Sequence, residues 1–177
     1  MTLFVVWMKT LRRMEFTKTR EQLKISGNSL ILNLQQKLST KNKVASGNLF
    51  SSLKARYDLG VNEVTFNLYG STHWKYIDKG VDGTVTKYGS PYKRSDKMPP
   101  LTEVRAWMDI KGIGMGEDEA WLTFWMQRRW HEKGIKPTFI FTSEIEKFKK
   151  SEIPKITQAL ISDTLKEMTR GNTDSNQ

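Results

Sequence analysis

Residues 49–70 read LFSSLKARYDLGVNEVTFNLYG, and the fold class turns on them. Val64, Phe66 and Leu68 alternate with Glu63, Thr65, Asn67 and Tyr69. That period of two places the three apolar side chains on one face of a half-buried strand. Leu59-Gly60 reads as the turn into this strand. The stretch therefore predicts a hairpin, its first arm either extended throughout or helical at its start.

Upstream, the chemistry changes period. Leu23, Leu30, Leu34 and Leu38, with Ile31 alongside, form a helical stripe between Thr17 and Ser39. Thr19 followed by Gln22 resembles a capping box and predicts a start near Thr19. Gly27 lies inside this helix and weakens it by about 1 kcal/mol relative to alanine. Downstream, residues 82–100 carry Gly83, Gly89, Pro91, Pro99 and Pro100 and read as a basic loop insert. A helix follows from near Thr102 to Gly112 through Val104, Trp107 and Met108. The next runs GEDEAWLTFWMQRRWHEKG over 116–134. Its acidic start and basic end suit the helix dipole, and Gly134 with Pro137 stops it. Trp121, Leu122, Phe124, Trp125 and Met126 cover most of its circumference, which predicts burial in the core or between subunits. A β-like run spans Thr138–Phe141. A last helix starts at Ser151 and aligns Ile153, Ile156, Leu160, Ile161, Leu165 and Met168. The reading is an α+β fold: a small, mainly antiparallel sheet flanked by a long N-terminal helix, middle helices and a C-terminal helix. It occupies 17–170 as one domain, between an apolar arm at 1–16 and a polar tail at 171–177.

The totals agree with one domain. The chain has 177 residues, 37% of them hydrophobic, which is enough for one core. It has no cysteine, excluding disulfide scaffolds, thiolate nucleophiles and cysteine-ligated metals. The net charge of +10 favours a polyanionic partner or a solvated basic surface. The apolar run Leu3–Met8 is far shorter than the ~20 residues of a membrane span. Positive charge follows it rather than precedes it, which is not the pattern expected of a signal peptide. It reads as a strand or as an arm on a neighbouring subunit, and no membrane partner is expected.

No catalytic, cofactor or metal residue emerges. His73 and His131 are the only histidines and share no ligand spacing with a carboxylate. The GIGMG segment at 112–116 follows a helix rather than a strand, lacks the lysine and hydroxyl of a phosphate loop, and abuts carboxylates. It reads as a helix–helix turn. No serine sits in a nucleophile elbow. Asp78 and Asp82 lie on a turn, where aspartates serve the backbone. In the basic loop, Lys87, Lys93, Arg94 and Lys97 are mixed with Tyr88 and Tyr92. Such a mix holds single-stranded nucleic acid or forms an exposed flap against a channel or neighbouring ring.

Three segments, in order, carry a resemblance. Ser46, Gly47, Leu49, Ser52 and Leu53 form the first; Tyr76, Ile77, Asp78 and Gly80 the second; Gly134, Ile135, Pro137 and Phe139 the third. Across about 17–170 the chain resembles the tail-completion (head–tail joining, or neck) protein family of tailed bacteriophages. The apolar arm and the 82–100 insert depart from that pattern. The resemblance implies a non-enzymatic subunit of a homo-oligomeric virion neck ring around the DNA channel, assembled in the host cytoplasm. Its partners would be copies of itself, portal or adaptor proteins and tail proteins, with non-specific proximity to DNA. It also implies that Trp74, Tyr76 and Ile77 are buried anchors beside a turn that uses Gly80 and Gly83 for positive φ. The alternatives are a small basic nucleic-acid-binding protein and a metal-dependent nuclease.

One domain of this size must house Trp107, Trp121, Phe124, Trp125, Phe139 and Phe141 besides its helical stripes. An apolar excess of that kind exceeds what monomers leave exposed. The expected subunit interface is therefore Leu3, Phe4, Val5, Val6 and Trp7 of the arm with Trp74, Tyr76 and Ile77 of the turn.

Overall fold

In the computed structural model, residues 16–44, 46–59, 64–95, 97–114, 116 and 118–174 are described. Leu3, Phe4, Val5, Val6 and Trp7 lie outside these residues, as does the hairpin turn at 60–63. The chain divides into two compact units, Asn28–Glu146 and the residues up to Gly27 taken with those from Lys147 onward.

The larger unit contains the α+β fold. Helix α1 (Thr17–Thr40) contributes Leu30, Leu34 and Leu38 to its buried core, as the stripe predicts. A short helix α2 (Asn48–Ser52) leads directly into β1 (Lys54–Leu59), which pairs antiparallel with β2 (Val64–Tyr69). Ala55, Tyr57 and Leu59 oppose Leu68, Phe66 and Val64, so the apolar face of the hairpin is continuous across both strands. Gln35 Nε2 donates to the Phe50 carbonyl at 3.0 Å, tying α1 to α2.

Next come α3 (Trp74–Lys79), β3 (Val81–Asp82), α4 (Leu101–Lys111), α5 (Glu119–Lys133) and β4 (Gly134–Ile135). The two-residue strands β3 and β4 form a second antiparallel pair, Val81 opposite Ile135 and Asp82 opposite Gly134. Between α4 and α5, Gly112 and Gly114 have φ of 65° and 84°. The amides of Gly112 and Ile113 close the end of α4 onto Asp109 and Met108, so Gly112 begins the expected turn out of that helix, Met115 lying outside the described residues.

Helix α6 (Ile140–Asp174) starts eleven residues before the expected Ser151 and passes through Pro154. The β-like run at Thr138–Phe141 is therefore a helix entry, with Phe139 at a φ of 51°. The cause is a distant cap at Asp78, described below. Nor does α6 stop at Gly171, since it continues to Asp174 and takes in the start of the expected polar tail. The capping box is also overturned. The helix begins before Thr19, whose hydroxyl serves Asp163, while Gln22 Nε2 donates to Ser26.

The smaller unit is built from the first part of α1 and the later part of α6. Leu23 is buried here, but two polar ties fix the register. Asp163 is buried and accepts from the Thr19 amide (2.8 Å), the Thr19 hydroxyl (2.8 Å) and the Lys18 amide (3.3 Å). It thereby satisfies free N–H groups at the start of α1. Ser26 donates to Glu152 at 2.7 Å. Glu152, Ile156, Ala159 and Asp163 share one helical face, so α6 turns this face inward. Consequently Ile153, Ile161, Leu165 and Met168 are exposed, against the expectation of a buried stripe.

Burial pushes the Asp163 carboxyl up, but the Thr19 and Lys18 donors outweigh it and hold it below the ordinary aspartate value. A depressed folded-state value contributes stability that is present above about pH 4 and is lost as pH falls through it. Asp163→Asn should therefore destabilise the protein at neutral pH. Its stability gap from wild type should narrow in acid, as urea unfolding at the two pH values will show.

Candidate functional site

Two constellations lie in the larger unit, one built on Asp78 and the other on Asp82. Asp78 is fully buried. Its Oδ1 accepts from the amides of Phe141 (2.8 Å) and Thr142 (3.1 Å), and its Oδ2 from the Thr142 hydroxyl (2.5 Å). Its backbone carbonyl accepts from the amides of Thr138 and Phe139. Asp78 thus caps α6 from 63 positions away and holds the bend at Phe139. Trp74 packs on Phe141 with ring centres 5.5 Å apart, and Tyr76 meets Tyr92 edge-to-face at 4.9 Å. The Ile77 carbonyl accepts from the Thr138 hydroxyl at 2.8 Å. The three turn anchors therefore have partners in their own chain, but none is fully buried as expected: Trp74 and Ile77 are half-buried and Tyr76 is exposed.

Asp82 organises the basic loop. Its Oδ1 accepts from the amides of Tyr88 (2.7 Å) and Ser90 (3.1 Å). Those two donors hold its carboxyl below the ordinary value, with Lys87 and Lys93 adding to them against burial. Its backbone exchanges hydrogen bonds with Tyr92 and Arg94. Further ties run from Thr84, Val85 and Thr86 to the carbonyls of His131 and Glu132, and from Gln127 to the Pro99 carbonyl. The segment is thus hydrogen-bonded along its length rather than a detached flap. Both aspartates accept hydrogen bonds from backbone amides.

Gly80 has the expected positive φ of 74°, but Gly83 does not. Gly83 is required for space: a Cβ there would lie 2.1 Å from the Glu132 carbonyl oxygen.

Beside this loop is an open cleft of about 1220 Å³. Lys43, Lys93, Arg94, Lys97, Lys111 and Lys136 line it, and Glu103 is the one acidic residue among the described lining residues. Among the described residues, none of the six cations is in an ion pair. Lys111 is positioned by Asn42 Oδ1 (2.9 Å) and the Val44 carbonyl (2.7 Å). Arg94 keeps a buried Nε with no hydrogen-bond partner among the described residues. Tyr92, Trp107 and Trp130 add aromatic rings, the two tryptophans meeting edge-to-face at 4.9 Å.

Of the predicted basic residues, Lys93, Arg94 and Lys97 come together here. Lys87 does not line the cleft and donates instead to the Gly83 carbonyl at 2.6 Å. Lys43, Lys111, Lys136 and the tryptophan pair escaped sequence reasoning. They come from separate segments, and no local spacing joins them.

Helix α5 corrects one of the two expectations for it, burial in the chain's own core. Its inward residues are Thr123 and Gln127, while Trp121, Phe124 and Trp125 are exposed, Trp121 by 64%. The Gln127 tie to Pro99 sets this rotation. Of the aromatic residues expected inside, Phe141 is buried, Trp107 is half-buried, and Phe139 is exposed.

Among the described residues, no cluster of three or more histidine, aspartate or glutamate side chains could hold a metal ion. No described helix is long and apolar enough to cross a membrane. In comparisons with known proteins, no family model, curated protein or solved structure matches the chain.

Proposed function

We propose that this chain is a structural subunit of a homo-oligomeric ring in the neck of a tailed-phage virion. There it would join the head, through portal or adaptor proteins, to the tail and surround the DNA channel. The reading assigns it no catalysis. One observation carries the proposal: the three segments behind the family resemblance are bonded into one structure. Ser52 of the first accepts from the Ser71 amide at 2.8 Å, just before the second. The second and third meet at Asp78, which binds Thr138 and Phe139, and Val81 pairs with Ile135. Residues that are separated in sequence but structurally interdependent make a coherent signature.

The exposed rings of α5 supply an apolar surface of the kind that marks subunit contacts. With the arm at Leu3–Trp7 and the exposed edge of Tyr76, they form the proposed neighbour contacts. Head-to-tail contacts that close produce a ring.

Light scattering on the purified protein should give one mass, a fixed multiple of 20.6 kDa, across a range of concentrations. Deleting residues 1–8 should weaken that assembly and leave the circular dichroism spectrum intact. A monomer at every concentration would overturn the ring.

A further inference from the structure

We infer that the cleft binds a short stretch of single-stranded nucleic acid, its cations meeting phosphates and its rings meeting bases. The inference goes beyond ring assembly, because the cleft belongs to one chain and needs no neighbour.

Charge is the first argument. Six cations converge on a concave surface with one acidic residue among the described lining, and among the described residues none of the six is in an ion pair. Like charges gathered this way repel one another, and a polyanion relieves that repulsion while releasing its own counterions.

Shape and rings decide which polyanion. The volume of about 1220 Å³ exceeds the roughly 300–1,000 Å³ of a small-molecule site, leaving room for several nucleotides. Trp107 and Trp130 meet edge-to-face, so at least one ring keeps a face turned away from the other. Unpaired bases stack on such faces regardless of sequence. A duplex keeps its bases stacked inside, and an acidic peptide has carboxylates but no flat faces to offer.

The test measures the anisotropy of a labelled oligothymidylate of about ten nucleotides, a length within the range such sites span. Competitors are a duplex of equal length and polyglutamate. The main variant is Lys43→Glu/Lys97→Glu/Lys136→Glu, all three lysines being exposed. Oligothymidylate should bind in preference to both competitors, quench tryptophan fluorescence and dissociate steeply with salt. The triple variant should bind at least about ten-fold more weakly, with the salt slope smaller by about 2, or ~0.7 per lost contact. Lys97→Glu alone should shift binding the same way, which keeps the test decisive if the triple variant misfolds. Preference for duplex or polyglutamate, binding unchanged in the variants, or no binding would each overturn the inference. The mass measured in the same solution judges the ring separately, so a monomer that binds the oligonucleotide removes only the ring.

Discussion

Asp78→Ala should lower the unfolding free energy by about 4 kcal/mol, combining a lost helix cap with orphaned donors. The carboxylate is fully buried and serves two amides and one hydroxyl of α6, so its removal strands all three. The neighbouring ion pair adds little, because Lys79 Nζ is 3.9 Å from Asp78 Oδ2 and Lys79 is substantially exposed. For a chain of this length the loss corresponds to a fall in Tm of about 10 °C. Asp78→Asn keeps an oxygen for the Phe141 and Thr142 amides and should recover more than half of the loss. Equal unfolding of the two variants would show that the negative charge, rather than the cap geometry, holds the turn to α6.

Gly83→Ala is the second large effect, and its cause is space alone. Gly83 does not occupy the positive-φ region, so alanine meets no backbone strain there. Its Cβ would nevertheless lie 2.1 Å from the Glu132 oxygen and 2.6 Å from the Glu132 and Lys133 carbonyl carbons. These are backbone atoms at the end of α5, and they cannot rotate aside as a flexible side chain would. The expected cost is about 3 kcal/mol or more, at the upper end of overpacking. Gly89→Ala is the complementary control: φ is 74° and nothing lies within 4 Å of the new Cβ, so strain acts without collision. That variant should lose only about 1 kcal/mol. Thermal unfolding separates them, and a Gly83→Ala protein as stable as Gly89→Ala would mean that the β3–β4 junction yields easily.

Both predictions concern long-range contacts, which is also where sequence reading and structure part. Stripe residues Leu23, Leu30, Leu34 and Leu38 are all buried because helical periodicity is local and strong enough to mark an inward face. On α5 and α6 polar ties choose the side that faces the chain's own interior. Gln127 bonds to Pro99, Glu152 to Ser26 and Asp163 to Thr19, and the apolar rings and aliphatic side chains face outward instead. Apolar composition states what a helix would bury given a partner. It does not state whether its own chain supplies that partner.

By itself, the sequence determined the α+β class, the hairpin with its apolar face, the first helix and the turn that ends α4. Each follows from periodicity, turn chemistry or capping within a few residues. Only the tertiary structure decided where α6 begins, because its cap lies 63 positions upstream. It alone also gathered Lys43, Lys93, Arg94, Lys97, Lys111 and Lys136 around one cleft with Trp107 and Trp130. Cations that are far apart along the chain interact through space, and their convergence is set by packing rather than by spacing.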